Sequence, residues 1–472
     1  MTGRKKLCAS LIMLAVFVCT TFFAMYASQK QSIEALALNT SFRALGKEEA
    51  DKISKAASPA YGDAVQALPN EAKKQDYITL IAALDVPTVS DALGEKTVSE
   101  SIGSAAYNNA AALVRTKQNE LLRALKKAGV AYTLENRYNT VLSGVAIRIK
   151  TSDFALAEGE ITALGGTAVL SETYAVPKTI SSSASTYEAA ETKDGVTENK
   201  VDVQETGIFN SENSPYDGTG TIVAVLDSGF DYTHSVFQKA LDDATVAKSL
   251  ADISSALAST NAVKTTPTLT AGDVYYNNKI PFMYDYADFD ADVYPLESEH
   301  GTHVAGIIAG DDTQNAVTRD SQGNETQLDY RVRGVAPKAQ LALMKVFSDV
   351  DAGAKQSHIL AAVEDCVNLG VDAINMSLGM SSGFAREVDK EYCNLVYDKV
   401  RGEGISLICA ASNDYNSTYG SEANGNLPLT SNPDSATVGS PSTYDAALSV
   451  ASISGVKTPY IEFEGSPIYY IE

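Results

Sequence analysis

This chain is short of positive charge and of cysteine. Its 472 residues set 37 Lys and Arg against 59 Asp and Glu, a net charge of -22. Such a chain repels phosphate backbones, which excludes nucleic acid as a partner and suits a soluble protein working outside the cell. Of five cysteines, Cys8 and Cys19 fall in an N-terminal apolar segment. The remaining Cys366, Cys393 and Cys409 are too widely spaced for a disulfide framework and lack C-x-x-C metal spacing. They read as small buried apolar residues, with a single bridge among them left open. The H-E-x-x-H pattern is absent, which removes a zinc-peptidase reading of His300 and His303. Gly218-Thr219-Gly220 precedes its strand and lacks a further glycine, so it is not a dinucleotide loop. Between Asp311 and Asp329, the residues Asp311, Asp312, Asp320, Glu325 and Asp329 read as a solvated loop in preference to a calcium site. No cofactor or metal is expected.

A 44% hydrophobic content over this length predicts two or three folded domains. Arg4, Lys5 and Lys6 precede an apolar run from Leu7 to Met25, the charge order of a secretory signal. Residues 1–27 are therefore expected to be an export segment, cleaved near Ala27. The bulky Met25 and the length of the run keep an uncleaved anchor open as the alternative. Phe17 and Val18 before Cys19 are too large for a lipoprotein site. The expected location is secreted or cell-surface, with membrane contact only through this segment or an anchor beyond the C-terminal end.

Residues 28–116 are rich in Ala, Glu and Lys, with Pro69 and Pro87 as breakers, and read as an N-terminal pro-region without a legible function. From Lys117 the pattern sharpens. A helix carries Leu121, Leu122, Leu125 and Ala128, and a strand is expected near Ala131 to Leu134. Alternation then puts Val145, Ile147 and Ile149 on one face and Arg148 and Lys150 on the other. A second helix over Asp153 to Leu164 and a strand from Thr167 to Tyr174 complete a small α/β module, taken as 117–177. Residues 178–217, with Ser181-Ser182-Ser183 and mixed charge, read as an exposed linker.

From Gly218 to Glu472, continuous apolar strands recur at Thr221–Leu226, Gln340–Phe347, Asp372–Met376, Ile405–Ala411 and Ala447–Ile453. Helical stretches lie between several of them. This is the texture of an α/β fold with a mostly parallel sheet buried by flanking helices. The helix after Ser357 turns Ile359, Leu360, Val363 and Val367 inward, beside Cys366. Open sheets of this kind gather polar residues at one edge of the strand ends. Asp227-Ser228-Gly229 closes the first strand, and His300-Gly301-Thr302-His303 follows some seventy residues later. An aspartate at a strand end can orient an imidazole, which then acts as general base.

Four blocks, Val223 to Gly229, His300 to His303, Ile374-Asn375-Met376-Ser377-Leu378-Gly379 and Ala410-Ala411-Ser412-Asn413, stand in one order. On them the region from Gly218 to Ser454 resembles the catalytic domain of the subtilisin family, in its cell-envelope branch of lactocepin and C5a-peptidase-like enzymes. The small α/β module resembles that family's inhibitory propeptide, whose tail, here Ala175-Val176-Pro177, leads into the cleft. The resemblance implies a subtilisin-like serine endopeptidase precursor acting on protein or peptide substrates and bound by its own propeptide. It implies Asp227 and His300 as triad members and Asn413 as oxyanion donor, a role worth about 10²- to 10³-fold in subtilisin itself. Ser377, Leu378 and Gly379 are implied as the segment pairing with the substrate backbone. His303 is expected to be packed and hydrogen-bonded. The family carries Gly where Ser412 stands, which puts the local turn in question. No Gly-Thr-Ser-Met-type block occurs, and neither Ser377 nor Ser440 sits in one. The nucleophile is therefore expected beyond residue 472, the catalytic domain over 218–472 being incomplete. A non-catalytic relative using its cleft to bind peptides is the alternative.

Overall fold

Two sheets of opposite character are built from the two sequence textures. In this computed structural model the described residues are 76–174, 196–197, 216–296, 298–312, 317–319, 325–327, 331–350, 353–379, 387–412, 438–451, 460–463 and 466–469. The expected signal segment 1–27, the tail 175–177 and Asn413 lie outside them. No helix among the described residues is long and apolar enough to cross a membrane.

The first sheet belongs to the N-terminal module. Its elements are β1 (Tyr77–Ala83), α1 (Ala105–Lys127), β2 (Tyr132–Tyr138), β3 (Gly144–Lys150), α2 (Phe154–Ala163) and β4 (Thr167–Leu170). Helix α1 starts where the Ser104 side chain accepts from the Tyr107 amide, and its last turn carries Lys126 and Lys127, favourable at a helix C-terminus. The strands are antiparallel in the order β2-β3-β1-β4. Leu80, Ala82, Val145, Ile147 and Ile149 pack on Leu121, Leu125, Ala157 and Ile161 of the two helices. The alternate residues Ile81, Ala146 and Val169 face the other way and join the core of the larger domain.

This corrects the expected boundary at residue 117. The central strand β1 lies forty residues earlier, and a cut at 117 would divide helix α1. Seven strand residues followed closely by Pro87 gave too short a periodic run to stand out from the Ala-rich surroundings. Strand β5 (Thr173–Tyr174) then leaves the module separately from β4. Within 178–217, Val196–Thr197 pairs in parallel with Arg331–Val332.

The second sheet has six parallel strands. In chain order the elements are β6 (Ile222–Asp227), α3 (Leu250–Leu257), α4 (Asn261–Thr265), β7 (Phe282–Asp285), α5 (His300–Ala309), β8 (Gln340–Lys345), β9 (Ala354–Lys355), α6 (Gln356–Leu369), β10 (Ala373–Met376), α7 (Glu387–Gly402), β11 (Ser406–Ala410) and β12 (Ala447–Val450). The large sheet runs β12-β11-β10-β6-β8-β7. Ile222, Ala224 and Leu226 of β6 point toward α6, while Val225 points toward Val304, Ala305 and Ala309 of α5. Both faces are covered, as parallel strands require. The edge strand β7 escaped the pattern reading because Pro281 precedes a run of only four residues. Cys366, Cys393 and Cys409 are buried free thiols.

Helix α6 is buried along its whole length, including Glu364, Asp365 and Asn368. Those polar groups are answered largely by the module and by α4. Glu364 Oε1 accepts from the amides of Thr140, Val141 and Leu142 at 2.7, 3.0 and 3.2 Å, and Oε2 from the Asn139 amide at 3.2 Å. Thr140 Oγ1 donates to Asn368 Oδ1 at 3.0 Å, and the Tyr138 hydroxyl to the Ser357 carbonyl at 2.7 Å. Asp365 accepts from the Asn261 and Ala262 amides at 2.6 and 3.0 Å, while burial pushes its carboxyl up to about 6.

Glu364→Gln places an NH₂ group among backbone donors. Bonds to a charged acceptor contribute about 1.5–3 kcal/mol each, so a loss of about 3 kcal/mol or more is expected in urea unfolding. Unchanged stability would mean that the β2–β3 loop does not depend on this carboxylate.

Candidate active site

Asp227 ends the strand at the middle of the parallel sheet and is fully buried. Its Oδ1 accepts from the Ser228 amide at 2.6 Å and lies 2.8 Å from His300 Nδ1. Its Oδ2 is buried with no hydrogen-bond partner among the described residues. The imidazole, 15% exposed above a carboxylate at 0%, is held from beneath and open above. With Nδ1–H directed at the carboxylate, Nε2 keeps a lone pair for a proton, the tautomer a general base needs.

His300 opens helix α5, and the contact between that helix and the aspartate loop is unusually close. A Cβ on Gly301 would fall 2.4 Å from the Gly229 carbonyl oxygen and 3.0 Å from Asp227 Cβ. Glycine at this position is therefore what lets the imidazole reach the strand end. Ser228 Oγ donates to the Ser298 carbonyl at 3.1 Å and accepts from the Gly301 amide at 3.4 Å, tying the loop to the first helical turn. His303, one turn on, is exposed instead of packed. Three helical residues rotate it by about 300°, away from the sheet and into solvent.

Lys345 stands at the next strand end, in register with Asp227 on one side and Asp285 on the other. Its ammonium lies 2.6 Å from Asp285 Oδ2, 3.2 Å from Asp349 and 3.5 Å from Asp288, and donates to the Phe347 carbonyl at 2.8 Å. Burial opposes its charge, yet these carboxylates hold its pKa above the usual lysine range. Among the described residues these three aspartates are the group whose spacing suits a metal ion, and here an ammonium lies among them.

Ser377, Leu378 and Gly379 continue the chain past β10 without a ladder partner among the described residues. Leu378 is buried, and Ser377 Oγ donates to Asn375 Oδ1 at 3.0 Å. A different edge, which the sequence reading missed, carries an added strand. Ala354 and Lys355 of β9 pair antiparallel with Tyr174 and Thr173 of β5. The Gln356 amide extends the pairing to the Glu172 carbonyl at 2.8 Å. Gly353, at φ +88°, has the Tyr174 carbonyl where a Cβ would stand, at 2.3 Å. The available signal was this lone glycine before a buried helix, the mark of a close backbone approach. Tyr174 is buried among Tyr397, Cys393, Cys409 and Tyr444 of the larger domain.

Ser412, the residue before Asn413, has φ +100°. The backbone keeps a glycine-like conformation in spite of the side chain, and such strain collects at functional sites.

The profile described as the Subtilase family matches residues 218–461. The chain is 34% identical over 240 residues to the C5a peptidase of Streptococcus pyogenes, covering 50% of this chain and 18% of that protein. It is 34% identical over 245 residues to the PI-type proteinase of Lactococcus lactis subsp. cremoris, covering 51% and 12% respectively. It thus spans less than a fifth of the curated relatives it matches. A solved structure, the epidermin leader peptide processing serine protease of Staphylococcus aureus, aligns with a TM-score of 0.42 at 10% identity over 79% of this chain and 69% of that one.

Gly301→Ala should separate helix α5 from the aspartate loop at a cost of about 1–3 kcal/mol, the range for overpacking. The downfield proton resonance of the His300 Nδ1–H is expected to disappear or move upfield. A native-like resonance in a fully stable variant would show that the close approach is dispensable.

Proposed function

Because this chain belongs to the subtilase family, we propose that it is part of a secreted or cell-surface serine endopeptidase precursor using an Asp-His-Ser triad. The observation carrying this reading is the 2.8 Å contact between the buried Asp227 carboxylate and His300 Nδ1. In this mechanism Asp227 holds the imidazole and stabilises the imidazolium. His300 Nε2 takes the proton of a serine hydroxyl as its oxygen attacks the scissile carbonyl, then returns that proton to the leaving amine. The Asn413 side-chain amide donates to the oxyanion of the tetrahedral intermediate. Lacking a Gly-Thr-Ser-Met-type block in the 472 residues, the reading assigns the nucleophile to sequence following Glu472. A peptide substrate adds as a strand to β9, with Ser377, Leu378 and Gly379 across the cleft from it.

The module over 76–174 is assigned as an inhibitory propeptide. Supporting this are the added strand β5, the cradle at Gly353 and the insertion of Tyr174 into the larger domain. The order of Arg4, Lys5 and Lys6 before the apolar run Leu7 to Met25 supports export.

A fluorophosphonate probe, which labels activated serines, should leave the purified 472-residue chain unmodified. Stoichiometric labelling would place the nucleophile inside it. In a longer form that carries the serine, His300→Ala should lower kcat by about 10⁶-fold, since triad members act as a unit. Asn413→Ala should lower kcat by about 10²- to 10³-fold with KM little changed. A pure KM effect would remove Asn413 from the oxyanion site.

A fragment covering residues 76–177 is expected to inhibit that longer form competitively, and Gly353→Val in the enzyme to weaken the inhibition. Kinetics indifferent to excess fragment would identify the module as a domain with another task.

A further inference from the structure

A cavity of about 340 Å³ lies where the module meets the larger domain, between α1, the end of β2 and helices α3 and α4. In a chain of net charge -22, its lining is cationic: Arg115 from α1, Arg137 from β2 and Lys264 from α4. Arg137 is half-buried and pre-positioned, one terminal nitrogen donating to Gln118 Oε1 at 3.0 Å and the other to Asn119 Oδ1 at 3.2 Å. Both partners are neutral. Among the described residues, neither Arg115 nor Arg137 forms an ion pair with a carboxylate. Lys264 donates to Asn139 Oδ1 at 2.5 Å, and the carboxylates beneath it, Glu364 and Asp365, are already taken up by backbone amides.

Gathering three cations around a partly buried void is unfavourable unless a counter-charge occupies it. The strain registers in the titration of the groups. Burial, and then the neighbouring Arg115, lower the pKa of Arg137. Burial also lowers that of Lys264, against the raising influence of Glu364 and Asp365 beneath it, with Arg115 adding a smaller lowering effect. Guanidinium forks match tetrahedral oxyanions through paired N–H donors, and the volume sits at the small end of the range for small-molecule sites.

We propose that this cavity binds a phosphate-class oxyanion, as free orthophosphate or as the phosphate group of a small metabolite, and that the bound anion bridges the module to the parallel-sheet domain. The site does not depend on the peptidase reading. Neither Asp227 nor His300 lines it, and both domains contribute to it. A ligand held by both partners stabilises the docked state in proportion to its occupancy.

The test uses the whole 472-residue protein. Orthophosphate and glycerol phosphate are titrated separately by calorimetry at constant ionic strength in chloride, with thermal unfolding followed alongside. One saturable site per chain is expected, with a melting temperature that rises with ligand concentration. Arg115→Ala, at an exposed rim position, should weaken binding at least tenfold. Arg123→Ala, exposed on the same helix but outside the cavity lining, should leave it unchanged. A preference for the ester identifies a phosphorylated metabolite, and equal affinity identifies free phosphate. Non-saturable heats, or equal losses in the two variants, would reduce the effect to general screening and overturn the proposal.

Discussion

A helix with no solvent face is the constraint around which the molecule is arranged. Helix α6 lies between the parallel sheet and the antiparallel sheet of the module, and its side chains are buried from Gln356 to Leu369. An all-apolar helix would need only volume from its neighbours. This one carries Glu364, Asp365 and Asn368, and a buried carboxylate is tolerated only where donors converge on it. The β2–β3 loop supplies four of them to Glu364 and thereby locks the module in one orientation. Hydrophobic faces alone, such as Ile81 and Ala146 against the core, would permit sliding. The amides do not.

From that docking the rest of the geometry follows. The module, held against α6, delivers the separate strand β5 to the edge at β9, directly ahead of the helix start. The same helix packs beneath β6 and β10, whose C-terminal ends carry Asp227 and the Ser377 segment. The module's contact at β9 and the candidate site therefore share one helix. Three positions break local rules: Gly353 in a left-handed conformation against a carbonyl, Ser412 in a glycine-like one, and Gly301 with no room for a methyl group. The two glycines permit close backbone approaches, and the strained backbone at Ser412 is of the kind that collects at functional sites.

The buried Lys345 network belongs to the same logic. Strand ends of a parallel sheet converge, and here carboxylates from β7 and the following loops meet beside the buried Asp227. A single ammonium in register between them meets the three neighbouring carboxylates and leaves Asp227 facing His300. Arrangements of this kind are invisible to motif reading, because nothing in the spacing of Asp285, Asp288, Lys345 and Asp349 announces their meeting.

The sequence by itself determined the parallel α/β architecture, the alternation of β3, the burial of the cysteines and the pairing of Asp227 with His300. Those properties rest on period and on short blocks whose residues stay close along the chain or take a known order. It did not determine where the module begins, since β1 is too short to carry a period of its own and becomes a central strand only by pairing with β3 and β4. Nor did it place His303 in solvent, show Ala354 and Lys355 receiving an added strand, or bring Arg115, Arg137 and Lys264 to one cavity. Each of these is decided by contacts between segments from tens to nearly two hundred residues apart. Local propensity is silent about such contacts, and only packing and the demand that buried polar groups find partners settle them.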